Sequence, residues 1–350
     1  MEQEIQRSAR VSDVGEFGLI DLLSRSLASN ASAASHIVVG AGDDAAAWVP
    51  SPGVVTVITT DTMVENVHFR RQTISWRDLG WKAMAMNISD IAAMGAKPRY
   101  AVITLGVPPN EPIASVLELY DGLVAIASAY GVAILGGDTV SSPLVLVGAT
   151  VLGETLPADD AVGDGLLRRS AAMVGDLIAV TGSLGGSAAG LRVLEGGSLP
   201  SGHHVGVVLD RHQRPKPRIV EAQFLLRSGV RAAADNSDGL LKQIELFCRA
   251  SGVGAVIDTR LLPIDASARA LFPLDSADLA LTGGEEYELV ITAPRSVFES
   301  LEASWRMTFD LPLTVVGSMT EEPNMLTVIG MDGVSRPASA LGFDHFHTVL

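Results

Sequence analysis

Four short acidic segments carry residues that could do chemistry: Gly42-Asp43-Asp44, Thr59-Thr60-Asp61-Thr62, Gly136-Gly137-Asp138-Thr139 and Asp235-Asn236-Ser237-Asp238-Gly239. The first three each follow a short apolar, β-branched run: Ile37 to Val39, Val54 to Ile58 and Val132 to Leu135. This predicts carboxylates in turns at strand ends, where strand pairing can bring them to one spot. Clustered carboxylates repel, and a hard divalent cation offsets that repulsion. Oxygen-only ligation suits Mg²⁺, which takes carboxylates together with substrate phosphates. The first expectation is therefore a magnesium–nucleotide enzyme.

Asp90 stands differently. It lies in the apolar stretch Ala85 to Met94 with Asn87 one turn earlier, so the two share a helix face at i, i+3 spacing. An Asp inside such a helix costs desolvation unless it has a partner; it reads as a ligand or as a solvated helix edge. Lys82 with Asp78 reads as an i, i+4 surface pair.

Asp235 and Asp238 flank Ser237 just before Gly239 opens a helix. Helix capping explains such a turn, and so does a metal turn whose helix amides face a phosphate. Gly182 to Gly186 is a second strand–glycine–helix turn, without the Gly-Lys-Ser/Thr of a Walker A loop. Arg168 and Arg169 can clamp a phosphate or form a solvated pair. In Gly283-Gly284-Glu285-Glu286-Tyr287-Glu288, strand alternation puts Glu286 and Glu288 on one face and Glu285 on the other. Glu288 then reads as strand-edge charge. His68 by itself reads as structural, His203-His204 as exposed loop, and Cys248, in Leu246-Phe247-Cys248, as core. Gly-x-Ser-x-Gly, His-Glu-x-x-His and a Rossmann glycine fingerprint at a suitable turn are missing, which removes support for serine hydrolase, zinc protease and dinucleotide oxidoreductase readings.

Strands alternating with helices must position these residues, so an α/β or α+β fold is expected. Ile37 to Val39, Val54 to Thr59, Tyr100 to Leu105 and Leu144 to Leu152 read as strands. Arg77 to Met94 reads as a helix stopped by Gly95 and Pro98, and Ile113 to Tyr130 as one closed by Gly131. These make an N-terminal domain, residues 1–153, and the Asp- and Gly-rich stretch Glu154 to Arg168 opens a second, residues 154–350. There, Leu177 to Thr181, Ala255 to Asp258, Tyr287 to Ile291 and Leu313 to Val316 read as strands, with helices from about Ser187 and over Gly239 to Ala250. Gly196 to His204 reads as flexible, and Arg211 to Arg218 as a basic segment with two prolines.

With 25 Lys and Arg against 40 Asp and Glu, the net charge is −15. That argues against a nucleic-acid surface and disfavours anionic membranes, but a small phosphorylated ligand fits if metal ions carry the positive charge. One cysteine allows no intramolecular disulfide and no cysteine-based metal site. The polar, acidic Met1 to Ile5 is unlike a signal peptide, and the longest apolar stretches, such as Leu144 to Leu152, are too short to span a bilayer. A cytoplasmic soluble protein is expected.

Taken in order, the motifs resemble the thiamine-monophosphate kinases, of the superfamily that also holds aminoimidazole ribonucleotide synthetase and selenophosphate synthetase. The matching stretches are Gly15-Glu16-Phe17, Gly42-Asp43-Asp44, Thr59 to Thr62, Val67-His68-Phe69, Lys82 to Asp90 with Ala92 to Ala96, Gly136 to Thr139, Arg169-Ser170, Thr181-Gly182, Arg214-Pro215 with Pro217-Arg218, Ser237 to Leu240, Gly283 to Glu285 with Tyr287 to Leu289, and Gly342 to Phe346. The resemblance implies ATP-dependent phosphorylation of thiamine monophosphate. It implies a two-domain synthetase-like fold: an N-terminal mixed sheet with helices, dimerising through a strand barrel, and a C-terminal α/β domain completing the active-site cleft.

By motif position, Asp44, Thr59, Thr60, Asp61, Asp90, Asp138, Asp235 and Asp238 would hold several Mg²⁺ ions. Gly137, Asp138, Arg169, Ser237 and Tyr120 would serve ATP, and His68, Glu285 and Phe343 would contact thiamine monophosphate. Asp61, Asp90 and Arg169 are the expected catalytic set. Three positions depart from the family pattern: Asn236 replaces an aliphatic residue, Ala171 a glycine, and Glu286 an aspartate. The competing expectations are another ATP-dependent superfamily member, such as an aminoimidazole ribonucleotide synthetase, and a non-catalytic Mg-nucleotide-binding paralogue. The sole Cys248 is misplaced for the reactive N-terminal cysteine usual in selenophosphate synthetases.

Overall fold

Alternating β-branched and small residues build the sheet of the first of two units, Met1–Ile91 with Lys97–Thr155. The computed structural model describes residues 9–31, 36–39, 45–157, 165–196 and 202–338. The first unit runs α1 (Val11–Ala31, interrupted at Gly15), β1 (Ile37–Val39), β2 (Ala47–Trp48), β3 (Thr56–Val64), α2 (Trp76–Ala93), β4 (Lys97–Val107), α3 (Ile113–Tyr130), β5 (Ala133–Ser141) and β6 (Leu146–Glu154). β1 and β2 pair antiparallel, and Trp48 packs on Tyr100.

The four-stranded sheet has the order β3-β6-β4-β5. β6 is antiparallel to both β3 and β4, and β4 is parallel to β5. Helical connections α2 and α3 therefore link parallel strands. Met63, Ala101, Ile103, Leu105, Val147 and Ala149 form the buried face. On the opposite face Ile58 is 66% exposed and Val140 is 48% exposed.

Two expected turns are strand instead. Asp61 lies within β3 and Asp138 within β5, so each carboxylate points to a face set by strand alternation. The apolar runs that suggested strands ending at Ile58 and Leu135 are only their first halves. Threonine and glycine continue the pairing because neighbouring strands satisfy their backbone groups.

α3 also revises the expectation about apolar length. By length and composition alone, Ile113–Tyr130 could cross a membrane. It instead buries Ile113, Val116, Leu119, Leu123 and Ile126 within its unit. Gly131, at φ 69°, closes it, and its N–H bonds to the carbonyls of Ala127 and Ser128.

The second unit is Ala92–Ala96 with Leu156–Leu350. The tail of α2 belongs here: Leu167 N donates to Met94 O (3.1 Å), and Gly95 meets Leu167 and Leu226. Its elements are β7 (Leu177–Thr181), α4 (Gly186–Glu195), α5 (His203–Gln213), α6 (Ile219–Arg227), β8 (Ala232–Asp235), α7 (Leu240–Ser251), β9 (Gly254–Asp258), α8 (Ala266–Leu271), α9 (Ser276–Thr282), β10 (Leu289–Ala293), α10 (Arg295–Thr308), β11 (Leu313–Thr320), β12 (Leu326–Ile329) and β13 (Ser335–Pro337). The sheet order is β13-β12-β9-β11-β7-β10-β8, antiparallel except for β12 with β9.

His203 and His204 open α5 rather than sitting in a loop, and His204 Nδ1 lies 3.1 Å from Ser267 Oγ. Phe247 and Cys248 are in the core with Ile178, Val180, Leu240 and Ile244. Burial pushes the Cys248 thiol up to about 11, so thiolate is scarce near neutral pH. Titration with a thiol reagent at pH 8 is expected to show no fast-reacting group in the native chain and one in denaturant. A rapid native reaction would contradict this packing.

Candidate active site

Within the first unit, two hydrogen bonds join β3 to α2. Asp61 N donates to Asn87 Oδ1 (2.9 Å), and Asn87 Nδ2 donates to Ala83 O (3.1 Å), which fixes the orientation of that buried amide. Thr59 Oγ1 donates to Asp90 Oδ2 at 2.5 Å. Thr59 and Asp61 share the α2-facing side of the strand, and Asn87 and Asp90 share one side of the helix. Asp90 is thus neither a solvated edge nor isolated: it is half-buried against the strand. The side chains of Thr59, Asp61 and Asp90 offer hard oxygens, which is the chemistry that fits a magnesium ion.

Lys82 and Asp78 are not a surface pair. Lys82 is 1% exposed, and Asp78 accepts from Ser75 Oγ (2.7 Å) at the start of α2. Ser75 Oγ in turn accepts from Asp78 N (3.1 Å), which is an N-terminal capping arrangement.

Asp138 does not join Asp61 within one chain. The register runs Asp138 to Thr104 to Gly148 to Thr62, so Asp138 shares its face with Thr62, opposite Asp61. Two strands also separate β3 from β5, which sets the two backbones about 14 Å apart at normal strand spacing. Thr60 turns its hydroxyl to the Asp138 face, where it meets Ala149 O and Thr150 Oγ1. Among the described residues, no three His, Cys, Asp or Glu side chains group as a metal site in a single chain.

Gly137 leaves room for β4, since a Cβ there would overlap the Ile103 carbonyl. Tyr120 is 4% exposed, and burial raises its hydroxyl pKa. His68 Nδ1 accepts from Val64 N (3.0 Å), so the neutral ring carries its proton on Nε2.

Within the second unit, β8 delivers Asp235, which is 1% exposed, and the turn after it holds Ser237 and Asp238, both half-buried. This turn is stitched to the segment before β10. Glu285 N donates to Ser237 O (2.6 Å), Glu286 N and Tyr287 N both donate to Asn236 O (3.1 Å), and Asn236 N donates to Glu288 O (2.7 Å). The segment is not a strand: Glu285 and Tyr287 have φ of 59° and 53°. Non-glycine residues adopt such values only where surroundings impose them.

Glu288 is therefore not edge charge. It is 1% exposed and held bidentately by Arg218, with Thr181 Oγ1 donating to its Oε2 (2.6 Å). Gly182 makes room for this carboxylate, because any Cβ would overlap it. Glu286 answers the glycine-rich turn. Ser187 N, in the first turn of α4, donates to Glu286 Oε1 (3.0 Å), so the anion-binding helix start is taken by the protein's own side chain. Burial pushes the Glu286 carboxyl up to about 8. Sequence reasoning missed the pairing of Glu288 with Arg218 and the anchoring of Glu286 on Ser187. The Arg214-to-Arg218 and Tyr287-to-Leu289 motifs and the glycine before Ser183 were local traces of them.

Arg169 is exposed, and its carbonyl accepts from Ser251 Oγ (2.8 Å). Asp44 and Phe343 lie outside the described residues. Asn236 is fully buried, and neither side-chain Nδ2 nor Oδ1 has a hydrogen-bond partner among the described residues. An unsatisfied buried amide costs about 1–3 kcal/mol. Asn236→Leu is expected to recover stability of that order, read as a higher urea midpoint with an unchanged slope. A lower midpoint would show that the amide is doing something stabilising.

Residues 42–155 match the AIR synthase related protein, N-terminal domain, and residues 173–328 match its C-terminal domain. The thiamine-monophosphate kinase of Bacillus subtilis (strain 168) is 35% identical over 315 residues, 89% of this chain and 94% of its own. That of Escherichia coli (strain K12) is 36% identical over 337 residues, 95% and 99% of the two chains. The crystal structure of thiamine-monophosphate kinase from Stenotrophomonas maltophilia K279a aligns with TM-score 0.79 at 35% identity, covering 91% and 97%. AaThiL complexed with AMPPCP and TMP aligns with TM-score 0.74 at 29% identity, covering 97% and 99%. On matches spanning both domains, this chain belongs to the AIR synthase related family, alongside the thiamine-monophosphate kinases.

Proposed function

We propose that the chain transfers the γ-phosphoryl group of ATP directly, in line, to a phosphate oxygen of thiamine monophosphate, giving thiamine diphosphate and ADP. The observation that carries the reading is the pair of hydrogen bonds, Thr59 Oγ1 to Asp90 and Asp61 N to Asn87, that sets Asp61 of β3 beside Asp90 of α2. It stands in a chain that matches thiamine-monophosphate kinases over nearly its whole length. The relative bound to AMPPCP and TMP supports ATP as donor and thiamine monophosphate as acceptor.

The acceptor needs no strong general base, since a phosphate's second pKa is about 6 and its oxygens are already ionised near neutral pH. The obstacles are repulsion between two anions and their alignment. Asp44, Thr59, Thr60, Asp61, Asp90, Asp138, Asp235 and Asp238 are the residues that would hold magnesium. When bound, magnesium neutralises phosphate charge. Arg169 binds phosphate oxygens and stabilises charge as it shifts between them. Gly137, Ser237 and Tyr120 serve the nucleotide, and His68, Glu285 and Phe343 orient the acceptor. The need for ATP as donor supports a cytoplasmic reaction.

A homodimer belongs to this reading. The sheet face carrying Ile58, Val102 and Val140 is left exposed. Closing two such sheets into one barrel sets the β3 edge of one copy beside the β5 edge of the other. Asp138 of one copy then approaches Thr60 and Thr62 of its partner, which share its face and which it does not reach within one chain.

The test is chromatographic. Purified protein with ATP, thiamine monophosphate and magnesium is expected to form thiamine diphosphate and ADP in equal amounts, and neither without magnesium. ADP alone would move the acceptor elsewhere, and no ADP would favour a non-catalytic nucleotide binder.

A further inference from the structure

The segment before β10 has a fixed backbone, and one of its side chains, Glu285, faces His212. Four backbone hydrogen bonds tie Glu285 to Glu288 against Asn236 and Ser237. Just after Glu285, Glu286 is anchored on Ser187 N and Glu288 on Arg218. Glu285 itself precedes these anchors, with its side chain 28% exposed and several rotatable bonds. His212 meets its carboxylate: Nδ1 stands 3.5 Å from Glu285 Oε2.

His212 is itself held in place. It sits in the last turn of α5 and is 6% exposed. α5 lies close against α4 because residue 190 is glycine: a Cβ there would overlap the Val208 carbonyl and stand 2.9 Å from His212 Cβ. That approach brings His212 Nδ1 to 3.1 Å from Ser187 Oγ. A carboxylate oxygen only accepts, so the contact at Nδ1 is attractive when Nδ1 carries the proton. Ser187 Oγ can accept from the same N–H, and Ser187 N already holds Glu286. One residue of α4 thus aligns both the neighbouring glutamate and the imidazole.

We propose that His212 is a positioning residue, whose Nδ1–H orients the Glu285 carboxylate for binding thiamine monophosphate. This rests on the reading of Glu285 as an acceptor contact given above. Glu285 is the group that touches substrate; His212 acts through it.

Steady-state kinetics of thiamine diphosphate formation, varying each substrate in turn, test it. His212→Leu is expected to raise KM for thiamine monophosphate about tenfold, the scale of losing a close polar contact to a charged group. KM for ATP should stay within about twofold, because the ATP contacts lie elsewhere. His212→Asn, which carries an N–H near the Nδ1 position, should restore most of the loss. His212→Gln lacks a donor there and should show the same split, which keeps the test in hand where the leucine variant does not fold. In a Glu285→Gln background, His212→Leu should add less than about a twofold further effect. Equal rises in both KM values, or a full multiplicative effect in the double variant, would overturn the proposal while leaving the kinase reading intact. A wild-type chain that binds ATP but neither binds nor phosphorylates thiamine monophosphate would remove the kinase reading first, and this proposal with it.

Discussion

Asp61→Asn and Asp90→Asn are each expected to lower the rate of thiamine diphosphate formation by about 10²–10³-fold, the scale of losing one well-placed electrostatic group. The fold should survive both changes. Asp61 is tied to α2 by its backbone N–H to Asn87, a bond that substitution of the side chain leaves intact. Asp90 accepts from Thr59 Oγ1, and an asparagine carbonyl oxygen can accept the same proton. What each variant loses is negative charge where a cation is needed. The loss should therefore deepen at low magnesium and be relieved partly at high magnesium. Circular dichroism and the urea midpoint should match the parent. Full activity in either variant would sink the assignment of the β3–α2 pairing as a metal site.

Gly122→Ala should destabilise the first unit by about 3 kcal/mol or more, at the upper end of overpacking effects. α2 and α3 cross at two glycines. A Cβ on Gly122 would overlap the Arg77 carbonyl oxygen and stand 3.0 Å from Trp81 N, and one on Gly80 would overlap the Leu119 carbonyl. The obstacle is backbone on both sides, so no rotamer change relieves it. α2 must shift, and α2 carries Asn87 and Asp90. Activity should fall along with stability. Gly131→Ala is the control: its φ of 69° strains an alanine, but nothing lies within 4 Å of the added carbon. It should cost about 1–2 kcal/mol and leave activity near the parent level. A Gly122→Ala protein as stable as the control would contradict the close crossing.

Much of the architecture was legible from local signals. Ile113 to Tyr130 is a helix over the span its periodicity and Gly131 suggest, and Leu177 to Thr181 is a strand over the span its β-branched run suggests. α5 was not legible. Its polar, histidine-rich start follows Gly196-Gly197, and tertiary contact with α4 through Gly190 outweighs that local bias. The mid-strand positions of Asp61 and Asp138 were missed for a related reason. Threonine and glycine look like turn residues in isolation, yet β4 and β6 supply the pairing that keeps the chain extended.

By itself, the sequence determined most element types, the hard-oxygen character of the proposed ligands and the family, because these depend on residue identity and order. Only the tertiary structure decided which carboxylates meet. Asp61 and Asp138 take opposite faces because side chains alternate with a period of two from a register set by pairing. Glu288 is a buried partner rather than edge charge because Arg218, 70 residues earlier in the chain, folds back to bond it. Neither the register nor that long-range pairing is written in any local stretch of residues.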